Sequence, residues 1–177
     1  MVSTVDVDLF SVSLHGLAEG RHRHTLIEGG EELSLPGSEL TSAGEVELEL
    51  TLDRTGSLLT ARGTVSTRVN LVCARCLEAF GYVLEGEFET ALRLGPDTTA
   101  LDDAGDTPVI TRDDRISFAP SVREALILAV PMKPLCTPGC RGLCPQCGAN
   151  LNTTTCSCEA APADSRWAAL QDLREKM

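Results

Sequence analysis

Eight cysteines in 177 residues, six of them crowded between positions 136 and 158, constrain this chain more than any other feature. The opening stretch MVSTVDVDLF lacks the basic and apolar regions of a secretory signal. The compartment expected is therefore the reducing cytoplasm, where disulfide frameworks are rare. Thiols at such close, patterned spacing then read as metal ligands. The tail runs Cys136-x-x-x-Cys140-x-x-x-Cys144-x-x-Cys147-Gly148, followed by Cys156-x-Cys158. Two residues between Cys144 and Cys147 let both thiolates reach one ion. Gly148 permits the positive φ at which a backbone folds beneath the metal.

Tetrahedral Zn²⁺ takes four such ligands. The favoured set is Cys144, Cys147, Cys156 and Cys158, because the loop between the pairs is short and closes at little entropic cost. In the alternative set, Cys136 and Cys140 replace the Cys156-x-Cys158 pair, whose single-residue gap is tight for chelation. A second ion, held by Cys136 and Cys140 together with Cys73 and Cys76, would use every thiol. That arrangement requires the tail to fold back beside the body of the chain. The expectation is structural zinc, as one ion or two. Cys73-Ala74-Arg75-Cys76 also admits a redox reading, but a redox pair belongs at a helix N-terminus. Here it sits between two predicted strands, so half a metal site and a merely buried thiol are the readings kept.

Alternation supplies the fold. Val46, Leu48, Leu50 and Leu52 interleave with Glu45, Glu47, Glu49 and Thr51, which is a half-buried strand. Asp53-Arg54-Thr55-Gly56 reads as a turn. Leu59, Ala61, Val65, Val69 and Leu71 then alternate with Arg62, Thr64, Ser66, Arg68 and Asn70. A third run places Phe80, Tyr82, Leu84, Phe88, Leu92 and Leu94 inward and Glu85, Glu87 and Glu89 outward. Short connections imply antiparallel pairing. Residues 118–130 read as a helix, with Pro120 in its first turn and Val122, Ala125, Leu126 and Ala129 on one face. The fold class expected is α+β: an antiparallel meander over 45–94, covered by one helix. A partial barrel is the alternative if N-terminal strands close the sheet.

The other segments carry weaker patterns. Residues 5–14 read as a strand, and Pro36-Gly37 as a turn in an otherwise weakly patterned region up to about 44. His22 and His24 share a face if extended, but no neighbouring ligands complete a site. Residues 95–115, with Asp97, Asp102, Asp103, Asp106, Asp113 and Asp114, read as an acidic mobile connection. From Asp164 a short helix with Trp167, Leu170 and Leu173 on one stripe closes the chain. The division expected is an α+β domain over 1–134 and a cysteine-rich zinc segment with its terminal helix over 135–177.

Charge narrows the function. Fifteen basic residues against 26 acidic give a net charge of -11. A chain held to nucleic acid chiefly by counterion release needs the opposite balance. A basic partner fits better. Arg62 and Arg68 form a stripe on the wet face, yet flanking glutamates offer cross-strand partners. Arg75 and Arg141, on turns inside the cysteine motifs, are the better RNA or partner contacts. No apolar run reaches the roughly 18 residues of a membrane span. No P-loop, H-E-x-x-H, G-x-S-x-G or dinucleotide motif is present, and four-thiolate zinc is ordinarily structural. No catalytic residue is assigned.

Three strings in order, LVCARCLEAF (71–80), VREALILAVP (122–131) and CRGLCPQCGANLN (140–152), with Arg166, Leu170 and Leu173 behind them, resemble the bacterial YceD family, also called DUF177. The resemblance runs from about residue 60 to 175. It implies a cytoplasmic, non-enzymatic factor for accumulation of 23S ribosomal RNA and assembly of the large subunit. It also implies partners among large-subunit proteins, including a small basic zinc-bearing one encoded nearby, or the 23S rRNA precursor. Cys73 and Cys76 match the family's Cys-x-x-Cys motif. The later cluster matches only those members with a cysteine-rich tail, so zinc remains an inference from spacing.

Overall fold

The computed structural model describes residues 9–33, 35, 44–94, 99–100, 109–110 and 114–158. Its centre is a five-stranded antiparallel sheet. In chain order the strands are β1 (Ser11–Ser13), β2 (Gly20–Gly29), β3 (Glu45–Thr55), β4 (Leu58–Val72), β5 (Ala79–Arg93), β6 (Thr99–Ala100), β7 (Val109–Ile110) and β8 (Arg115–Ser117). The main sheet runs β2-β3-β4-β5-β6, and a small three-stranded sheet runs β1-β8-β7. The expected meander is present as β3, β4 and β5. The main sheet stays open, with β2 and β6 at its edges, and does not form a closed barrel.

Parity explains the layers. Val46, Leu48, Leu50 and Leu52 on β3, with Leu59, Ala61, Val65, Val69 and Leu71 on β4, are all buried on one face. Leu84 and Leu92 continue that face on β5. The helix α1 (Ala119–Ala129) covers it with Val122, Ala125 and Leu126. Gly86 allows the close approach: a Cβ there would lie 2.7 Å from the Ala125 carbonyl oxygen. Phe118, just before the helix, is fully buried, stacks on Phe88 at 6.2 Å, and donates its N–H to the Phe10 carbonyl. Phe10 and Phe118 thereby join the small sheet to the main core.

Several expectations are corrected. Asp53, Arg54 and Thr55 belong to β3, and the turn is Gly56–Ser57, with Gly56 at φ +59. Asp53 pairs with Arg21 across β2 and β3, and the Arg21 guanidinium bonds the Asp53 carboxylate at 3.2 Å. β2 lies in a region with no clear pattern, and His22 and His24 share its inner face. The described part of the 5–14 strand is confined to Ser11–Ser13. The acidic connection contains β6 and β7 and ends in β8. Tyr82 lies on the inward parity of β5 but is exposed, with its ring edge-on to Phe80 at 6.3 Å. The Pro36-Gly37 turn, Asp97, Asp102, Asp103, Asp106 and Asp113, and the helix from Asp164 fall outside the described residues.

The outer face of the sheet is charged. Thr64 lies between Glu49 and Glu87, and Ser66 between Glu47 and Glu85. Arg62 bonds Glu89 at 2.8 Å, the expected cross-strand pair. That hydrogen bond, aided by the Arg62 charge, holds the Glu89 carboxyl below its ordinary range. A shallow depression of about 460 Å³ opens here, lined by Glu49, Thr51, Arg62, Thr64, Glu87 and Glu89.

Candidate metal centre

The eight sulfurs gather into two groups of four, and within each group they lie within 4.8 Å of one another. One group is Cys73, Cys76, Cys136 and Cys140; the other is Cys144, Cys147, Cys156 and Cys158. No cysteine is in a disulfide. The grouping with Cys136 and Cys140 in place of Cys156 and Cys158 is not the one observed. The tail does fold back beside the sheet.

Both groups rest on the same backbone device. Cys73 N–H bonds the Glu78 carbonyl and Leu77 N–H bonds the Cys73 carbonyl, each at 2.9 Å. Cys144 N–H bonds the Ala149 carbonyl at 2.8 Å, and Gly148 N–H bonds the Cys144 carbonyl at 2.9 Å. The residue after the second cysteine is left-handed in both turns: Leu77 at φ +60 and Gly148 at φ +73. This conformation aims the free N–H groups inside each turn toward the sulfurs. Arg75 N–H lies 3.5 Å from Cys73 Sγ.

The first group sits at the end of the sheet, where β4 hands over to β5. Cys73, Cys76 and Cys140 are buried, packed with Phe80, Leu135 and Leu143. Ala74 N–H donates to the Pro134 carbonyl at 2.8 Å, which brings the chain leaving α1 onto the first turn. The Arg75 guanidinium donates to the Cys140 carbonyl at 2.9 Å. Arg75, expected as an outward contact, thus also ties the tail to the sheet. Gly142, at φ +74, brings its backbone so close that a Cβ would lie 3.1 Å from the Arg75 carbonyl oxygen.

The second group is more open: Cys144 is buried, but Cys147 and Cys158 are exposed. Its loop is fastened to the first group through two asparagines that spacing alone does not reveal. Asn152 Nδ2 donates to Cys140 Sγ at 3.3 Å, and Asn152 Oδ1 accepts the Arg141 N–H at 2.8 Å. Asn150 Oδ1 accepts from Asn152 N–H and Nδ2 at 3.0 and 2.9 Å. Leu151 N–H returns to the Gly142 carbonyl at 2.9 Å. The Asn150-x-Asn152 pattern is visible in the sequence, but its targets lie across the fold.

Donor chemistry and spacing fit a thiophilic dication. A tetrahedron with Zn–S bonds of about 2.3 Å has edges of about 3.8 Å. Cys73 and Cys140 are 3.7 Å apart at sulfur, as are Cys76 and Cys136. Crowding splits the acidities. The Cys136 backbone N–H draws Cys73 down to about 6, against the effect of burial. The Glu78 N–H favours the Cys76 thiolate, but burial and the neighbouring sulfurs override it and push Cys76 up to about 12. Backbone N–H groups of Cys147 and Gln146 hold Cys144 down to about 6. Hydrogen bonding to Cys147, with burial, pushes Cys158 up to about 12. Some sulfurs in each group are thus poised as thiolates beside others that resist ionisation. A cation is what lets all four ionise together.

A family profile described as Large ribosomal RNA subunit accumulation protein YceD matches residues 61–174, a stretch that contains both groups. The chain belongs to the YceD family. It is 29% identical over 158 residues to Large ribosomal RNA subunit accumulation protein YCED homolog 1, chloroplastic, of Arabidopsis thaliana, covering 75% of this chain and 49% of that one. The protein of the same description in Zea mays is 29% identical over 161 residues, covering 72% and 55%. An uncharacterized protein of Mycobacterium bovis is 27% identical over 155 residues, covering 85% and 72%. The chain spans about half the length of the two plant relatives. No solved structure matches it. The YceD family is named for accumulation of the large ribosomal RNA subunit. Among the described residues, no helix is long and apolar enough to cross a membrane.

Proposed function

We propose that this YceD chain is a non-enzymatic ribosome-biogenesis factor that supports accumulation of 23S rRNA and assembly of the large subunit. In this reading each cysteine group holds one structural Zn²⁺. The first ion clamps the tail to the sheet, and the second orders the loop over residues 144–158. Four sulfurs complete each coordination shell, so neither ion keeps a position for substrate, the feature that separates structural from catalytic zinc. The observation that carries the ribosomal part is the family match over 61–174.

Charge selects the kind of partner. The outer face presents Glu45, Glu47, Glu49, Glu85, Glu87 and Glu89 as exposed residues, against Arg62 and Arg68 along its middle and Arg21, Arg23 and Arg93 toward the β3–β4 turn, which leaves Glu47, Glu49, Glu85 and Glu87, around Ser66 and Thr64, as its acidic part. A basic large-subunit protein complements that face, and the attraction speeds encounter and weakens with salt. Direct RNA contact is confined to the cysteine turns, where Arg141 is exposed and Arg75 retains donors beyond the one given to Cys140.

Sedimentation through a sucrose gradient at low salt tests the reading. The zinc-loaded chain is expected to travel with large-subunit precursor particles and to leave them as salt is raised. A chain that stays at the top of the gradient in cells making ribosomes would instead mark a zinc-stabilised adaptor with a non-ribosomal partner. Binding to naked 23S fragments, with no affinity for any large-subunit protein, would overturn the protein-first mechanism.

A further inference from the structure

β5 pairs with β4 along its whole length, from Ala79 opposite Val72 to Arg93 opposite Leu58. On its other side only Leu92 and Arg93 have a strand partner, the two residues of β6. Among the described residues, 79–91 therefore form an open sheet edge, along which every second residue turns its N–H and C=O away from β4. Proteins blunt such edges with prolines, lysines, bulges or short strands. This edge is long, its register with β4 is unbroken, and it contains neither proline nor lysine.

The side chains there are uncovered as well. Ala79, Gly81, Tyr82 and Val83 are exposed, although Val69 and Leu71, opposite Tyr82 and Phe80 on β4, are buried. Tyr82 is open to solvent on the inward parity and Val83 on the outward one. A Cβ at Gly81 would meet nothing within 4 Å. Charge along the edge has one sign. Glu85 and Glu87 stand opposite Ser66 and Thr64, which do not neutralise them, and Glu89 is bonded to Arg62. The nearest cross-strand cation to Glu85 in the pairing is Arg68, opposite Val83 and so diagonal to it.

We infer that this edge takes up an extended basic segment of the partner protein as an added strand beside residues 79–89. Main-chain hydrogen bonds supply the hold. Lysines or arginines at alternate positions of the incoming strand fall opposite Glu85 and Glu87, and apolar residues between them cover Tyr82. A second copy of this chain is a poor occupant, because two β5 edges paired about Gly86 set Glu85 of each against Glu87 of the other. This rests on the reading that the partner is a basic protein, and it states how such a protein is held.

The test uses the full chain and a synthetic peptide of about nine residues in which lysine and valine alternate. Its controls are a copy N-methylated at every backbone nitrogen and a copy with glutamate for lysine. Amide hydrogen exchange in the free chain is expected to be fast at every second residue from 79 to 87, and the lysine peptide is expected to slow it. The N-methylated copy, with its charge unchanged, should bind roughly tenfold more weakly or not at all. Glu85→Lys with Glu87→Lys should weaken the lysine peptide about tenfold and admit the glutamate copy. The lysine peptide is also expected to displace the chain from large-subunit precursor particles. Full protection of 79–87 in the free chain, whether by its own segments or by self-association seen in sedimentation, overturns the added strand. Equal binding of the N-methylated copy overturns it too, and neither result touches the ribosomal reading. Peptide binding at β5 without displacement from the particles overturns the edge as the partner's dock. If the wild-type chain ignores the particles while the lysine peptide still protects β5, the strand site stands and the ribosomal reading falls.

Discussion

The two cysteine groups use one turn geometry for two purposes. The first is buried and long-range: Cys73 and Cys76 come from the sheet, Cys136 and Cys140 from beyond α1. The second is local and open, its four sulfurs drawn from positions 144–158. A metal at the first site would close a loop of about 60 residues, which the bare tail would close at an entropic cost. At the second it would order the fifteen residues 144–158, which have little core of their own. In the proposed reading the same ligand set is a clamp between regions in one place and a substitute for a hydrophobic core in the other.

Removing the clamp should have the largest effect. Cys73→Ser with Cys76→Ser is expected to release residues from about 131 to 158, seen as rapid proteolysis there, with loss of one zinc and weakened hold on the other. The melting midpoint should fall by roughly 10 °C or more, since a structural zinc contributes several kcal/mol and each is about 2–4 °C in a chain this size. If the tail stays protected and the melt unchanged, the first group is no clamp. Cys144→Ser with Cys147→Ser is the milder counterpart. It should cost one zinc and protection of residues 144–158 only, with a midpoint shift of roughly 3 °C or less if the sheet does not depend on the loop. In the wild-type chain, a chelator should strip the exposed second site first, giving a two-step release curve by mass spectrometry. A single concerted release would erase the distinction.

The strands that were legible in the sequence are those whose alternation is deep. Leu48, Leu50 and Leu52 against Glu47, Glu49 and Thr51 admit one register, because a slip of one residue would bury the glutamates. β2 was illegible for the opposite reason. GRHRHTLIEG places polar residues on both parities, and it pairs with β3 at the sheet edge, where burial is partial. β6 and β7 are two residues each, too short to carry a period. Spacing identified every thiol as a candidate ligand but left open how Cys73 and Cys76 pair. That choice is made by contacts far apart in sequence, chiefly Ala74 with Pro134 and Arg75 with Cys140. Arg75 shows the limit most clearly, since a basic residue on an exposed turn reads as a contact to another molecule.

Arg75→Ala measures that tie. Losing a partly buried, charge-assisted hydrogen bond should cost about 1 kcal/mol, or roughly 3 °C in the melt. Arg75→Lys should restore little, because a single ammonium lacks the fork that reaches the carbonyl while packing along the turn. An unchanged melt would mean that the Ala74–Pro134 bond and the metal suffice.

Asn152 measures the smallest and most informative term, the link between the two groups. Its amide donates to Cys140 of the first site while its own loop encloses the second. A metal that fixes Cys140 therefore fixes the acceptor on which that loop rests, and by linkage each ion should strengthen the other's binding. Asn152→Ala removes the donor to Cys140 along with the side-chain bonds to Asn150 and the Arg141 N–H, and the second site should bind zinc at least fivefold more weakly, the worth of one such hydrogen bond being about 1 kcal/mol. The decisive comparison repeats the substitution in the Cys73→Ser, Cys76→Ser background. There the acceptor is no longer held, so the part of the Asn152→Ala effect that runs through Cys140 should vanish and the fold-loss should shrink. An undiminished effect in that background would show that Asn152 serves only its own loop, leaving two independent zinc sites that happen to adjoin.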